Sequence, residues 1–339
     1  MWELMIALEK KYTTALYGYK FIDLFCGIGG FHLALKAFGA ECTFASEIDE
    51  QAKKIYENNF AIKPQGDITK ISRDNIPEHD IICAGFPCQP FSISGKGAGF
   101  NDKKRGMLFF EITRIAKHHE PKVILLENVA NLETHDEGKS IKRIFKKLKK
   151  IGYTPFRQTL NAADFGVPQS RKRLYIIAFH KSLGVSEFCF PVGMSQKVSV
   201  KTILEDEKNT INYRINREFT LIEKYEEREL TWAKHYIRIG KIGKGRQGER
   251  IYSINGCATT QSSTGGGLGG RTGMYYINKH IRKLTPRESA RVMGFPDSYK
   301  ISENVNQAYV QLGNSVVVDV LQHIIKEIVD KLEGVKKND

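Results

Sequence analysis

The sequence predicts an α/β protein in two parts: a mostly parallel sheet with helices on both faces, and a smaller, irregular β-rich module. Three observations lead there. "KFIDLFCGIGGFHLALKAFGAECTFASEID" reads as a strand, a glycine turn, an amphipathic helix, a glycine stop and a second strand. Apolar strands and amphipathic helices go on alternating through "RLYIIAF". Past about residue 195 the helix signals thin into a stretch dense in Gly, Ser and Thr.

The elements follow in order. The first strand runs into a turn holding Gly27, Gly29 and Gly30, its helix stops at Gly39, and the second strand ends near Glu47. A helix over 50–59, a strand over 80–84 and a helix over 107–117 come next. Then come the strand "KVILLENV", the helix "SIKRIFKKLKKIG" with its basic run as the solvated side, and two strands flanking "NAADFGVPQSRKRLYIIAF". Strands alternating with helices imply a mostly parallel sheet. In "GKIGKGRQGERIYSINGCATTQSSTGGGLGGRTGMYYIN" the tyrosines and isoleucines beside the glycines argue for packed strands rather than a flexible linker. A helix is expected after Thr285-Pro286, and "NSVVVDVLQHIIKEIVDKL" is a long apolar-periodic helix that returns to the first domain. The expected division is 1–200 completed by 310–339, a second module over 201–285, and a hinge over 286–309.

With 339 residues and 41% hydrophobic content, the chain exceeds the usual single-domain size. The 52 Lys and Arg against 38 Asp and Glu give a net charge of +14, which suits a polyanionic partner; a merely soluble basic protein is the alternative. No apolar run approaches the roughly 20 residues that cross a bilayer. Glu3, Glu9, Lys10 and Lys11 interrupt the N-terminal apolar residues, unlike an export signal, so a cytoplasmic location is expected. The six cysteines form no CxxC pair and no His cluster stands at ligand spacing, so neither a disulfide framework nor a metal site is indicated.

The acid Glu47 follows the glycine turn by about 20 residues, the spacing at which a nucleotide fold sets a carboxylate on ribose hydroxyls. A pyrophosphate-gripping fingerprint needs a third small residue where this chain has His32, which disfavours a dinucleotide. S-adenosylmethionine carries ribose and adenine but no phosphate, and Asp67 in "GDI" is placed to accept from the adenine amino group. A plain tight turn is the rival explanation of the glycines.

One cysteine has a distinctive setting. In "IICAGFPCQPFSISG", Cys88 follows a strand end, at the carboxyl edge where ligands of open α/β sheets gather. "LLENV" brings Glu127 to the same edge, and "QSRKR" puts Arg171 and Arg173 two apart, on one face if that segment is extended. A thiol, a carboxyl group and two guanidiniums form a plausible reactive set.

As a set, "DLFCGIGGF", "SEID", "GDI", "GFPCQPFSISGKG", "ENV", "QSRKRLYIIAF", "LTPRESARVMGFPDSY" and "QLGNSV" resemble, in order and throughout the chain, the cytosine-C5 DNA methyltransferases. The resemblance implies a Rossmann-like S-adenosylmethionine-dependent methyltransferase sheet and a target-recognition domain. It implies that Cys88 adds to cytosine C6, that Glu127 meets N3 and Arg173 meets O2, and that Arg171 supports the carboxylate or a neighbouring phosphate. The implied cofactor set is Asp23, Phe25, Gly27, Ile28, Gly29, Gly30, Glu47, Ile48, Asp67, Ile68, Gly85, Leu108, Asn314, Ser315 and Val316. The implied substrate is duplex DNA with the cytosine swung out, Gln247 and Ser94 filling the hole, and Arg250 and Thr260 also on DNA. The resemblance extends to "GKGRQGERIYS" and through it implies a short G+C-rich palindrome such as GCGC. A monomer is expected, paired in function with a restriction endonuclease. An RNA-directed relative, an inactive DNA-binding regulator and a nicotinamide oxidoreductase are the rival readings; the first lacks its Cys-Phe-Thr stretch here.

Overall fold

The computed structural model describes residues 10–86, 108–194, 197–224 and 235–336. Cys88 and Ser94 lie outside the described residues. The chain divides into two compact units, one of Leu8–Leu160, Lys172–Val192 and Val320–Asp339, the other of Met1–Ala7, Asn161–Arg171 and Gly193–Asp319.

The first unit carries β1 (Lys20–Leu24), α1 (Gly30–Lys36), β2 (Glu41–Ser46), α2 (Glu50–Phe60), β3 (Ile81–Gly85), α3 (Leu108–His119), β4 (Val123–Val129), α4 (Lys139–Lys150), β5 (Tyr153–Asn161) and β6 (Lys172–His180). These strands form one sheet in the order β2-β1-β3-β4-β6-β5, parallel from β2 to β4 and antiparallel between β4 and β6. The predicted α/β class is therefore what the chain adopts. The direction of winding reverses between β1 and β3, and the carboxyl ends of strands at such a reversal are where sheets of this kind bind ligands.

Alternation along the strands builds the core. Ile22 and Leu24 of β1, Ile82 and Ala84 of β3, Ile124 and Leu126 of β4 and Leu174 and Ile176 of β6 share one cluster with Ile112 and Ile115 of α3 and Ile144 and Leu148 of α4. The intervening positions, among them Asp23 and Cys83, belong to the opposite face. In α4 the lysines stay on the outer side while Ile141, Ile144 and Leu148 are buried, as a solvated basic run requires.

The second unit holds β7 (Thr220–Leu221), β8 (Arg238–Lys241), β9 (Arg250–Ser253), β10 (Met274–Ile277) and β11 (His280–Arg282), a sheet in the order β11-β10-β9-β8-β7. It also holds α5 (Pro286–Arg291) and α6 (Val305–Asn314), and the start of α7 (Val318–Lys336), which continues into the first unit. At α5 the Thr285 hydroxyl accepts from the Glu288 amide and Glu288 accepts from the Thr285 amide, a reciprocal cap. The glycine-rich stretch is packed backbone against backbone: the Gly269 amide donates to the Gly248 carbonyl at 2.8 Å, and a Cβ on Gly248 would run into Gly266. The long C-terminal helix starts at Val318 rather than at Asn314, and the shorter α6 ahead of it escapes the sequence reading.

Candidate active site

Two clusters in the first unit and one in the second hold the described candidate residues. The first cluster is the turn after β1. Phe25, Gly27 and Gly29 have φ of 56°, 53° and 87°, so three residues of one short turn are left-handed. Only glycine is comfortable at position 29, because a Cβ there would overlap the Phe60 ring and press on Tyr56. Glu47 locks the turn: Oε2 accepts from the Gly27 amide at 2.8 Å, and Oε1 accepts from the Ile48 and Asp49 amides at 2.8 and 2.9 Å. Beside it Ile48 stands 73% exposed, an apolar side chain offered to a flat ring. Asp67 caps the short turn Ile68–Lys70 through Oδ1, which accepts from the Thr69 amide and hydroxyl at 3.0 and 2.7 Å, and these bonds hold its carboxyl below the usual range. Both bonds fall on one oxygen, which leaves Oδ2 for an amino group.

Behind the turn lies an aromatic plug. His32 is buried, stacks on Phe60 with centroids 3.7 Å apart, and shares a 2.7 Å hydrogen bond with the Tyr56 hydroxyl through Nδ1. Burial lowers the His32 pKa to about 3, so the ring is neutral at pH 7. Asp23 is also buried, with neither carboxyl oxygen in a hydrogen bond of full geometry. Its pKa is pushed well above the carboxylate range by burial, opposed by the His32 backbone amide and reinforced by Glu47. Cys26, Cys42 and Cys83 are buried in the same unit, and burial raises all three thiols, Cys42 to about 12. Such thiols are inert.

The second cluster sits at the ends of the central strands. Gly85 of β3 pairs with Glu127 of β4, and Val129 of β4 pairs with Arg173 of β6. Arg173 Nε lies 3.0 Å from Glu127 Oε1, with both side chains largely buried. The Asn128 side-chain amide, itself buried, donates to the Phe86 carbonyl at 3.0 Å. That bond ties β4 to the segment leading toward Cys88, a role the "ENV" motif signals and the sequence reading passed over. Leu108, half-buried, opens α3.

In the second unit Arg171 stands just before β6, as the sequence reading expects, while Arg173 lies inside that strand; Arg171 is 3% exposed. Its guanidinium donates to the carbonyls of Gln261 at 2.8 Å, Gly313 at 3.0 Å and Ser315 at 2.7 Å. Asn314 is exposed, and Ser315 and Val316 are buried. Gln247, itself exposed, opens a 3₁₀ turn that Glu249 closes by accepting from the Arg246 amide at 2.8 Å. Arg250 starts β9 beside Tyr252, whose phenol burial pushes up and Arg250 opposes. Thr260 is exposed and its hydroxyl donates to the Ser170 carbonyl at 2.6 Å. Among the described residues no group of three or more His, Cys, Asp or Glu is arranged to hold a metal, and no helix is long and apolar enough to cross a membrane.

The family described as C-5 cytosine-specific DNA methylase matches residues 19–330. Type II methyltransferase M.HhaI of Haemophilus parahaemolyticus is 47% identical over 324 residues, covering 96% of this chain and 97% of its own. Type II methyltransferase M.HpaII of Haemophilus parainfluenzae is 41% identical, covering 96% and 91%. Among solved structures, the Entamoeba histolytica methyltransferase EhMeth superposes with a TM-score of 0.71 at 21% identity, covering 93% of this chain and 98% of that one; this likeness speaks to the fold. With the match spanning nearly the whole chain, and the Glu127–Arg173 pair and the glycine turn both formed, the protein belongs to the C-5 cytosine-specific DNA methylase family and is a DNA cytosine-5-methyltransferase.

Proposed function

We propose that this enzyme methylates cytosine at C5 within a short palindrome in duplex DNA, GCGC being the first sequence to test, as the modification partner of a restriction endonuclease. The observation that carries the reading is the Glu127–Arg173 pair beside Gly85, where the chain continues toward Cys88. A monomer in the cytoplasm is the proposed working form.

The residues around the glycine turn fit S-adenosylmethionine. Glu47 is anchored by amides as a ribose acceptor would be, Asp67 keeps Oδ2 free of the bonds to Thr69, Ile48 offers an apolar surface, and the His32–Phe60 plug occupies the side where a pyrophosphate fingerprint needs a small residue. Asp23, Phe25, Ile28, Gly30, Ile68, Gly85, Leu108, Asn314, Ser315 and Val316 complete the proposed set. The cofactor supplies an electrophilic methyl group on a sulfonium centre.

The chain's own groups make the ring receptive. Cytosine C5 is a weak nucleophile, so the Cys88 thiolate adds to C6 and converts the ring into an enamine. Electron density then builds on N3 and O2, where Glu127 holds a proton and Arg173 donates. After transfer, water removes the C5 proton and the thiolate leaves. A stacked cytosine hides C6, so the base swings out at a cost of a few kcal/mol, with Gln247 and Ser94 entering the vacated space. Arg250 is the candidate for bidentate contact with guanine, and Thr260 for the backbone.

The test is methyl transfer from labelled S-adenosylmethionine to duplex DNA, followed by methylation-sensitive sequencing. Label at C5 of the inner cytosine of GCGC supports the full reading; label in another motif refutes the palindrome alone; transfer only to tRNA, or none, refutes the DNA substrate.

A further inference from the structure

We propose that Arg171 is a positioning residue that presents Asn314, rather than a group that touches substrate. The proposal rests on the reading that Asn314 belongs to the cofactor set.

The last turn of a helix leaves carbonyls without intrahelical donors, and cations favour that end. Helix α6 ends at Asn314, and Arg171 Nη2 donates to the carbonyls on both sides of it, Gly313 and Ser315, while Nη1 donates to Gln261. Three carbonyls thus occupy the terminal nitrogens of a side chain only 3% exposed, so no nucleobase or phosphate reaches them.

The guanidinium is itself framed. Asn161 Oδ1 accepts from the Arg171 amide at 2.9 Å. Gln169, fully buried, accepts from the Gln261 amide at 3.0 Å and donates to the Val292 carbonyl at 2.8 Å. Gly313 lets the two segments meet: a Cβ there would overlap the Ser262–Ser263 peptide. The outcome is specific to one residue. From Gln311 to Gln322 every residue is buried except Asn314. Nη2 holds both carbonyls that flank Asn314 while Nη1 of the same planar group holds Gln261, which fixes which way the intervening residue faces; an ammonium lacks the second nitrogen.

The test compares the full-length wild type with Arg171→Lys, Arg171→Met, Asn314→Ala and the Arg171→Met/Asn314→Ala pair, by methyl-transfer kinetics and by calorimetric titration with S-adenosylmethionine. Arg171→Met is expected to raise cofactor KM and Kd about tenfold, the size of one charge-assisted hydrogen bond, with kcat within about threefold. Arg171→Lys falls between. The double variant is expected to bind no more weakly than Asn314→Ala alone, because both changes remove the same contact. An unchanged cofactor Kd, additive effects, or a fall in kcat alone would overturn the proposal. Folding is followed by circular dichroism; if Arg171→Met does not fold, Arg171→Lys carries the comparison, and failure of both assigns Arg171 to stability only and overturns it. A wild type that transfers no methyl group to cytosine sinks the functional reading instead, while the titration still judges Arg171.

Discussion

Arg171 and Arg173 carry the same group two positions apart, yet the structure uses them in opposite ways. Arg173 lies in the sheet unit, 3.0 Å from Glu127, where strand ends converge. Arg171 lies in the other unit and spends its donors on main-chain carbonyls 90 and 142 residues away. One of the chain's crossings between the units falls between residues 171 and 172. A guanidinium facing a carboxylate at a ligand-binding edge is equipped for chemistry; one buried among carbonyls is equipped for geometry. On the proposed roles the "QSRKR" motif joins two jobs in one short stretch, and neither spacing nor residue type separates them.

The largest effect that would sharpen this contrast is on Glu127 and Arg173. Glu127→Gln and Arg173→Met are each expected to lower kcat by about 10²–10⁴-fold, the usual weight of one acid or oxyanion donor. Cofactor KM should stay within a few fold, as steady-state kinetics will show. If these variants instead moved cofactor KM as the Arg171 variants are expected to, the division of labour would be broken.

Next in size is a third buried arginine with a purely scaffolding role. Arg282 and Glu288 form a two-pronged pair at 2.6 and 2.7 Å with almost no exposure. Arg282→Met strands the Glu288 charge and should cost about 3–5 kcal/mol in denaturant titrations, with kcat of the surviving folded enzyme near wild type. A catalytic loss without a stability loss would contradict that role. A smaller cost, about 1–3 kcal/mol of overpacking, is expected for Gly313→Ala, read as a lower thermal midpoint.

A last effect concerns pH and leaves the chemistry untouched. Asp319 is buried with both carboxyl oxygens unpartnered, and burial raises its pKa from 3.8 to about 8. In that window the unfolded state has released a proton that the folded state still holds, so this group's contribution to stability falls as pH rises from about 4 to 8. Asp319→Asn should flatten that fall in a pH series of thermal midpoints, and an unchanged slope would show that the group does not titrate there.

How much was legible follows the same division. The glycine turn, Glu47, Glu127 and Arg173 were readable because each sits at a strand end in a regular alternation, where local pattern fixes position. The plug also leaves a trace in the sequence, where His32 stands at a position that a dinucleotide fingerprint fills with a small residue, although its stacking on Phe60 leaves none. The partners of Arg171 were not legible because they are main-chain carbonyls, which leave no signature in residue types. Helix α6 was missed because its buried Gln311 and Gly313 blur the apolar stripe, though Asn304, which accepts from the Gln307 amide, was a usable N-cap signal. In the glycine-rich stretch, contacts between backbones replace side-chain packing, so no hydrophobic period could reveal the fold.

The central claim is that Cys88 bonds covalently to a cytosine extruded from duplex DNA. Its most direct test is mass spectrometry of the protein after incubation with S-adenosylmethionine and a duplex carrying 5-fluorocytosine at the target position, where the fluorine blocks release. The account predicts a stable protein–DNA adduct mapping to Cys88 and absent from Cys88→Ser. Methylation of ordinary DNA with no such adduct, or an adduct on another residue, would contradict it.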